Sequence, residues 1–318
     1  MMEIVNRHDS SLHDWSTLRE EINSFLMNKP ENTQISYTND LSKFFKFLSL
    51  IHIEPLHCKQ IHVEEYMKFV SLKGGRIVDN KGTPAKDRTY NRKLATIKSF
   101  YSFLGSKRII SIDPTAFVTF RSMPFKVETN DLSNQKVSEL LSLIPFDNFK
   151  HSRDRALIAM FFYTGLRKSE IKNLLIGDYK NYKDKKILKV RVKGGYEKDI
   201  PVNPELVIHI EHYLKTAKSE GLEIRAGSAL FLPLSGNPKG ISGEGIHKIF
   251  MKWVRKLKLG YKVSPHSARA TFIGALSDMG VSLDASADIV GHKDPKMTKA
   301  YIKRRKELGD SPVFDMKY

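Results

Sequence analysis

The sequence predicts a mainly α-helical protein with a small β-sheet, divided into two domains. Along most of the chain, apolar residues recur three or four positions apart, which is typical of amphipathic helices. One stretch instead alternates apolar and polar residues on both sides of the Gly-Gly pair at 194–195, which indicates a β-hairpin. The segment from Arg121 to Asp131 has no periodicity. We therefore expect a helical domain at 1–124, a linker at 125–131 and an α+β domain at 132–318.

The N-terminal domain should be a bundle of four or five helices. Two of them have well-defined apolar stripes: Ile35, Leu41, Phe44, Phe45 and Leu48 on the second, and Tyr90, Leu94, Ile97, Tyr101 and Leu104 on the fourth. A helix with basic residues opposite its apolar stripe can lie along the DNA backbone, although a merely solvated face is the alternative. The basic residues expected on the outer faces are Lys43 and Lys46 of the second helix, and Arg88, Arg92, Lys93 and Lys98 of the fourth.

The C-terminal domain should contain several helices and the hairpin. Ser133 is a good N-cap, and Gly165 is well placed to end a strongly apolar helix. The pair His209 and His212 is expected to be exposed rather than to bind a metal. The predicted elements are helices through Leu143, at Arg153–Tyr163, from about Arg167, from Pro204 to about Glu220, around Ile246–Leu257, from Pro265 to Met279, up to Val290 and from about Pro295, with strands at Ile187–Val192 and Glu197–Val202.

Composition points to a polyanionic partner. The chain has 318 residues, and 53 Lys plus Arg against 35 Asp plus Glu give a net charge of +18. Such an excess favours nucleic acid. A single cysteine, Cys58, excludes an intramolecular disulfide. The sequence has no apolar run of about 18 residues, so we expect no membrane span and a cytoplasmic, nucleoid-associated protein.

The stretch from Ser264 to Tyr301 carries the candidate chemistry. His266 and Arg269 are three residues apart, at the start of a predicted helix where backbone N–H groups favour an anion. His292 and Tyr301 follow in the same stretch. A guanidinium, two imidazoles and a phenol make a poor metal site. They are well suited to holding a phosphate while the phenol oxygen attacks it.

These residues resemble those of the tyrosine recombinases, the phage integrase family, and in particular its Xer- and integrase-like members. The resemblance covers nearly the whole chain, because the N-terminal helices are also similar to the family's core-binding domain. The matching residues occur in the family's order: Thr164-Gly165-Leu166-Arg167-Lys168-Ser169-Glu170, Lys193 in the hairpin turn, His266-x-x-Arg269, Gly291-His292, and Tyr301 nine residues after His292.

The resemblance implies a site-specific recombinase that cuts and rejoins DNA through a 3′-phosphotyrosine intermediate and a Holliday junction. Tyr301 would be the nucleophile, and Arg167, Arg269 and His292 would stabilise the phosphate. Lys193 would protonate the departing 5′-oxygen and His266 would act as acid or base toward Tyr301. Glu170 would brace His266 or Arg167. No metal, cofactor or ATP is expected.

The implied partners are double-stranded DNA with specific sites and three further copies of the chain, forming a homo-tetramer on paired sites. Accessory DNA-bending proteins, the DNA target and the biological task are left open. Three alternatives remain: a catalytically inactive DNA-binding regulator with the same fold, a type IB topoisomerase-like relaxing enzyme, and a metal-dependent nuclease. The complete residue set argues against the regulator, and a carboxylate cluster is missing for the nuclease.

Overall fold

The computed structural model describes residues 16–74, 84–123, 129–192, 195–291 and 298–299. Its contacts divide the chain into two compact units, Met1–Phe125 and Lys126–Tyr318. The exact extent of the linker at 125–131 stays a prediction. Lys193, His292, Tyr301 and the C-terminal tail lie outside the described residues, and of the helix expected from Pro295 only Thr298 and Lys299 are described, both as helical.

The first unit contains four described α-helices. Their apolar faces form one core, in which aromatic rings pack edge to face, such as Phe25 on Phe100 and Phe44 on Tyr66. The predicted stripes of the second and fourth helices are confirmed except at Ile35, which is 53% exposed. The helices are α1 (Ser16–Met27), α2 (Glu31–Leu50), α3 (Gln60–Lys73) and α4 (Asp87–Ser106), with a 3-10 turn at Pro55–His57.

A buried carboxylate lies between α2 and α4. Asp40 is 2% exposed, and it accepts hydrogen bonds from the Arg92 guanidinium, the Lys93 ammonium and the Thr96 hydroxyl. Burial lowers the pKa of Lys93, and the neighbouring Asp40 opposes that shift. A buried charge is stable only when it is paired, so Asp40 accounts for a lysine inside the bundle.

The expectation that all four basic residues of α4 lie on its outer face is therefore wrong. Lys93 is 3% exposed, because it follows Arg92 by one residue and thus lies about 100° away from it around the helix. Lys98 is half-buried and donates to the Thr115 carbonyl at 2.5 Å. Arg88 is exposed, whereas Arg92 keeps a 47% exposed side chain beside Asp40. On α2, Lys43 is exposed and Lys46 is half-buried.

The second unit is organised around one buried helix. Twelve residues of α6 are buried, and α5, α8, α9 and α10 pack around it. A helix buried on every side shows little amphipathic pattern, and the continuous apolar run from Ala156 to Phe162 is consistent with this. The described helices are α5 (Asn134–Ser142), α6 (Phe149–Thr164), α7 (Lys168–Lys172), α8 (Pro204–Ser219), α9 (Gly243–Val254), α10 (Pro265–Asp278) and α11 (Leu283–Val290), with 3-10 turns at Ile176–Asp178 and Arg255–Leu257.

The sheet has three antiparallel strands in the order β1 (Tyr179–Tyr182), β2 (Lys185–Arg191) and β3 (Glu197–Pro201). The predicted hairpin is confirmed as β2 and β3, whereas β1 was not predicted. In the hairpin register, Leu188 lies opposite Ile200 and Val190 opposite Lys198. Leu188, Val190 and Ile200 are buried, so this face of the hairpin packs on the core.

His209 on α8 is 6% exposed, so the expectation that it faces solvent is wrong. Its ring stacks on that of Phe146, with the ring centres 5.5 Å apart. Within the described segments, none of the helices has the length and apolar character needed to cross a membrane.

Candidate active site

The first part of the site is the turn between α6 and α7. Gly165 ends α6 in the left-handed conformation, with φ of 61°, and Arg167 is the N-cap residue of α7. Glu170, which is 5% exposed, binds Arg167 twice: one carboxylate oxygen accepts from the backbone N–H and the other from Nη1, each at 2.8 Å. Of the two partners expected for Glu170, the structure thus shows Arg167. The salt bridge fixes a guanidinium that is still 37% exposed.

Gly165 is required by packing as well as by its backbone angle. A Cβ at this position would lie 2.5 Å from Cδ1 of Phe272 on α10, well inside van der Waals contact. Glycine therefore allows the C-terminal end of α6 to approach α10 closely. That approach places the Gly165 carbonyl against the side chain of Arg269.

The second part of the site is the start of α10. Ser264 is the N-cap residue of α10. Pro265 is its first helical residue, as the sequence predicted. His266 is exposed, whereas Arg269, one turn later, is 1% exposed. The two residues are neighbours on the helix, but only His266 faces solvent.

Arg269 connects two loops. Its Nη1 donates to the Gly165 carbonyl at 2.7 Å, and its Nη2 donates to the Val290 carbonyl. Gly165 lies two residues before Arg167, and Val290 two residues before His292. One guanidinium thus holds together the turns that precede two predicted phosphate-binding residues.

The third part of the site is the end of α11. Gly291 caps the helix with φ of 66°, a conformation that favours glycine. Lys198 on β3 donates from Nζ to the Asp288 carbonyl in the last turn of α11. Lys198 was missed from the sequence. The available signal was its place in the strand, because it lies two residues before Ile200 and so shares the inward face of the hairpin.

Three predicted catalytic residues, Lys193, His292 and Tyr301, lie outside the described residues, and their roles stay predictions. The strands on either side of Lys193 are described, with Arg191 paired to Glu197. Within the described segments, no group of three or more His, Cys, Asp or Glu side chains is arranged to hold a metal ion.

Comparison with known proteins decides the family. The model of the phage integrase family matches residues 131–307, more than half of the chain, and that family's N-terminal SAM-like domain matches residues 24–108. The chain belongs to the phage integrase family. A curated relative, the tyrosine recombinase XerC of Thermodesulfovibrio yellowstonii, is 30% identical over 277 residues, covering 85% of each chain.

Solved structures of integrase-family proteins share the fold. The XerH site-specific recombinase bound to its palindromic difH substrate has a TM-score of 0.70 at 15% identity, covering 89% of this chain and 80% of that one. A lambda integrase tetramer bound to a Holliday junction has a TM-score of 0.67 at 13% identity, covering 93% and 80%. Family membership makes this protein a tyrosine recombinase, an enzyme that cleaves and rejoins DNA at specific sites.

Proposed function

We propose that this recombinase exchanges strands between two DNA duplexes with Tyr301 as nucleophile, forming a 3′-phosphotyrosine. The observation that carries the proposal is the pair of hydrogen bonds from Arg269 to the Gly165 and Val290 carbonyls. They bring the turn before Arg167 and the turn before His292 to a single guanidinium. These residues can therefore converge on one phosphate.

The side chains account for the catalysis. Phosphodiester cleavage is slow without a catalyst, so the site must stabilise the charge of a pentacoordinate transition state. Arg167 and Arg269 donate to non-bridging oxygens, and His292 donates a further hydrogen bond. Lys193 protonates the departing 5′-oxygen, and His266 moves a proton at the Tyr301 hydroxyl.

The tyrosyl ester keeps the energy of the broken bond. A phenol has a pKa of about 10, against about 15.7 for water, so it is a better leaving group than the DNA hydroxyl. A 5′-hydroxyl from either duplex can therefore displace Tyr301 and reseal the strand. The cycle needs no ATP, since the phosphodiester bond is exchanged rather than hydrolysed.

Arg269 also suggests how cleavage depends on DNA. Two of its five N–H donors bind backbone carbonyls, and its side chain is covered. Binding of the duplex would uncover Arg269 while Glu170 keeps Arg167 in place. The catalytic pair would then be completed only on DNA.

The assembly we propose is a monomer that forms a tetramer on two paired sites at the nucleoid, with a Holliday junction as intermediate. The likeness in fold to a lambda integrase tetramer on a Holliday junction supports this assembly. The C-terminal residues Val313 to Tyr318 supply an apolar arm that would dock on the next protomer.

Recombination between two cloned sites on one plasmid tests the proposal. The purified protein should convert the plasmid to its recombined form in EDTA and without ATP. Deletion of Val313 to Tyr318 should spare binding to a single site and abolish strand exchange. Relaxation of supercoils with no recombined product would instead identify a topoisomerase-like enzyme.

A further inference from the structure

The last turn of α11 is held from outside by two cations. The final carbonyls of a helix have no partner within it, and they form the negative end of its dipole. Here the Asp288 carbonyl accepts from Lys198 Nζ and the Val290 carbonyl from Arg269 Nη2. The last turn of α11 has no basic residue of its own. The two cations come from different elements, β3 and α10.

The placement of Lys198 on the hairpin is unusual for a lysine. Its cross-strand partner is the buried Val190, and Ile200 is the next residue on the same face. Lys198 therefore occupies the core-facing side of β3, where its ammonium group reaches past the apolar residues to α11. On the opposite face of the hairpin, Lys189 and Arg191 each form an ion pair with Glu197.

These contacts form one continuous connection across the site. Lys198 ties the hairpin to α11, Arg269 ties α11 to α10, and the same Arg269 side chain binds the Gly165 carbonyl beside Arg167. Lys198 is thus the side chain through which β3 reaches the last turn of α11.

We propose that Lys198 is a positioning residue that sets the hairpin, and with it the loop between Arg191 and Glu197, against the last turn of α11. In this proposal Lys198 does not touch the phosphate but acts through Lys193, which belongs to that loop. The inference therefore rests on the acid role proposed for Lys193. Proton transfer requires the donor and the acceptor to lie at a narrow range of distances and angles, so a residue that positions the acid can change the rate. A misplacement of about 1 Å can cost about 100-fold in rate.

Replacement of Lys198 by methionine keeps most of the length of the unbranched side chain and removes its charge and donors. In single-turnover cleavage of a nicked substrate, Lys198→Met should be slower by about 10- to 100-fold. Its dissociation constant for site DNA should stay unchanged. Lys198→Arg, which can still donate to the carbonyl, should recover most of the rate. Lys189→Met is the matched control, since Lys189 lies on the other face of the same hairpin, and it should cleave at the wild-type rate.

A substrate with sulfur in place of the scissile 5′-oxygen distinguishes a misplaced proton donor from a general loss of structure, because only the first defect would be rescued by it. A thiol has a pKa of about 8.5 and leaves without being protonated. The sulfur substrate should therefore restore cleavage by Lys198→Met to near the wild-type rate. The double variant Lys193→Ala with Lys198→Met should be no slower on ordinary DNA than Lys193→Ala alone.

The outcomes separate this inference from the proposed function. Cleavage by Lys198→Met at the wild-type rate overturns the inference, and so does a defect that the sulfur substrate leaves unchanged while it rescues Lys193→Ala. If the sulfur substrate fails to rescue Lys193→Ala, the acid role of Lys193 is wrong, and with it the route by which Lys198 was proposed to act.

Discussion

Arg269→Lys changes the group that connects the two halves of the site. The guanidinium donates to two carbonyls, at Gly165 and Val290, whereas one ammonium group cannot reproduce that fork. At least one buried carbonyl would lose its charged donor, at a cost of about 1–3 kcal/mol of unfolding free energy. For a unit of this size that lowers Tm by about 2–4 °C per kcal/mol. Loss of a donor to the transition state should also slow cleavage by about 100- to 1000-fold.

The two effects are separable by a matched control. Arg153 is also buried, at 5% exposure, and donates to a backbone carbonyl, that of Leu232, and to the Asp154 carboxylate. Arg153→Lys should lower Tm by a similar amount and keep cleavage near the wild-type rate. The assay is single-turnover cleavage of a nicked substrate well below both melting temperatures, with DNA affinity measured in parallel. Cleavage by Arg269→Lys at the rate of Arg153→Lys would refute the reasoning.

Three more predictions concern residues away from the chemistry. Burial lowers the pKa of His209 to about 4, below its value in the unfolded chain, so the free energy of unfolding should fall by up to about 3 kcal/mol as the pH drops from about 6.5 to about 4. Denaturant melts of His209→Phe should show a smaller fall over the same pH range, and an equal fall would assign the effect to other groups. Burial raises the pKa of Cys58 to about 11, so the native protein should react with iodoacetamide at pH 8 far more slowly than the denatured protein, and equal rates would contradict this. Arg88→Ala should reduce the steepness of log affinity against log salt by about 1. Lys93→Ala should instead lower Tm, because the buried Asp40 loses one of its two cationic partners and keeps only Arg92; the reverse pattern would place Lys93 on the DNA.

The sequence predicted the elements that depend on local signals. Gly165 after an apolar run, Ser133 as an N-cap and the Gly-Gly hairpin each act within a few residues, and all are confirmed. Strand β1 was missed because its residues, Tyr179 to Tyr182, carry little apolar alternation and pair only through β2. Pairing with a distant strand is a tertiary effect that a local pattern cannot reveal.

Within the candidate site, the sequence predicted a contact between neighbours in the chain but not the contacts between distant residues. The position of Glu170, three residues after Arg167, is a capping-box spacing, and the structure shows the salt bridge that this spacing allows. The burial of Lys93 depends instead on Asp40, which lies 53 residues earlier in the chain. The hydrogen bonds of Arg269 and Lys198 likewise join residues far apart in sequence, so only the fold reveals them.

The most direct test of the account is the identity of the residue that becomes attached to DNA. The protein should be trapped on a nicked substrate in EDTA, digested with a protease and a nuclease, and the nucleotide-bearing peptide sequenced by mass spectrometry. The account predicts a single modified residue, Tyr301, and no adduct from Tyr301→Phe, which should still bind site DNA. An adduct on any other residue, or covalent attachment by Tyr301→Phe at the wild-type level, would contradict it.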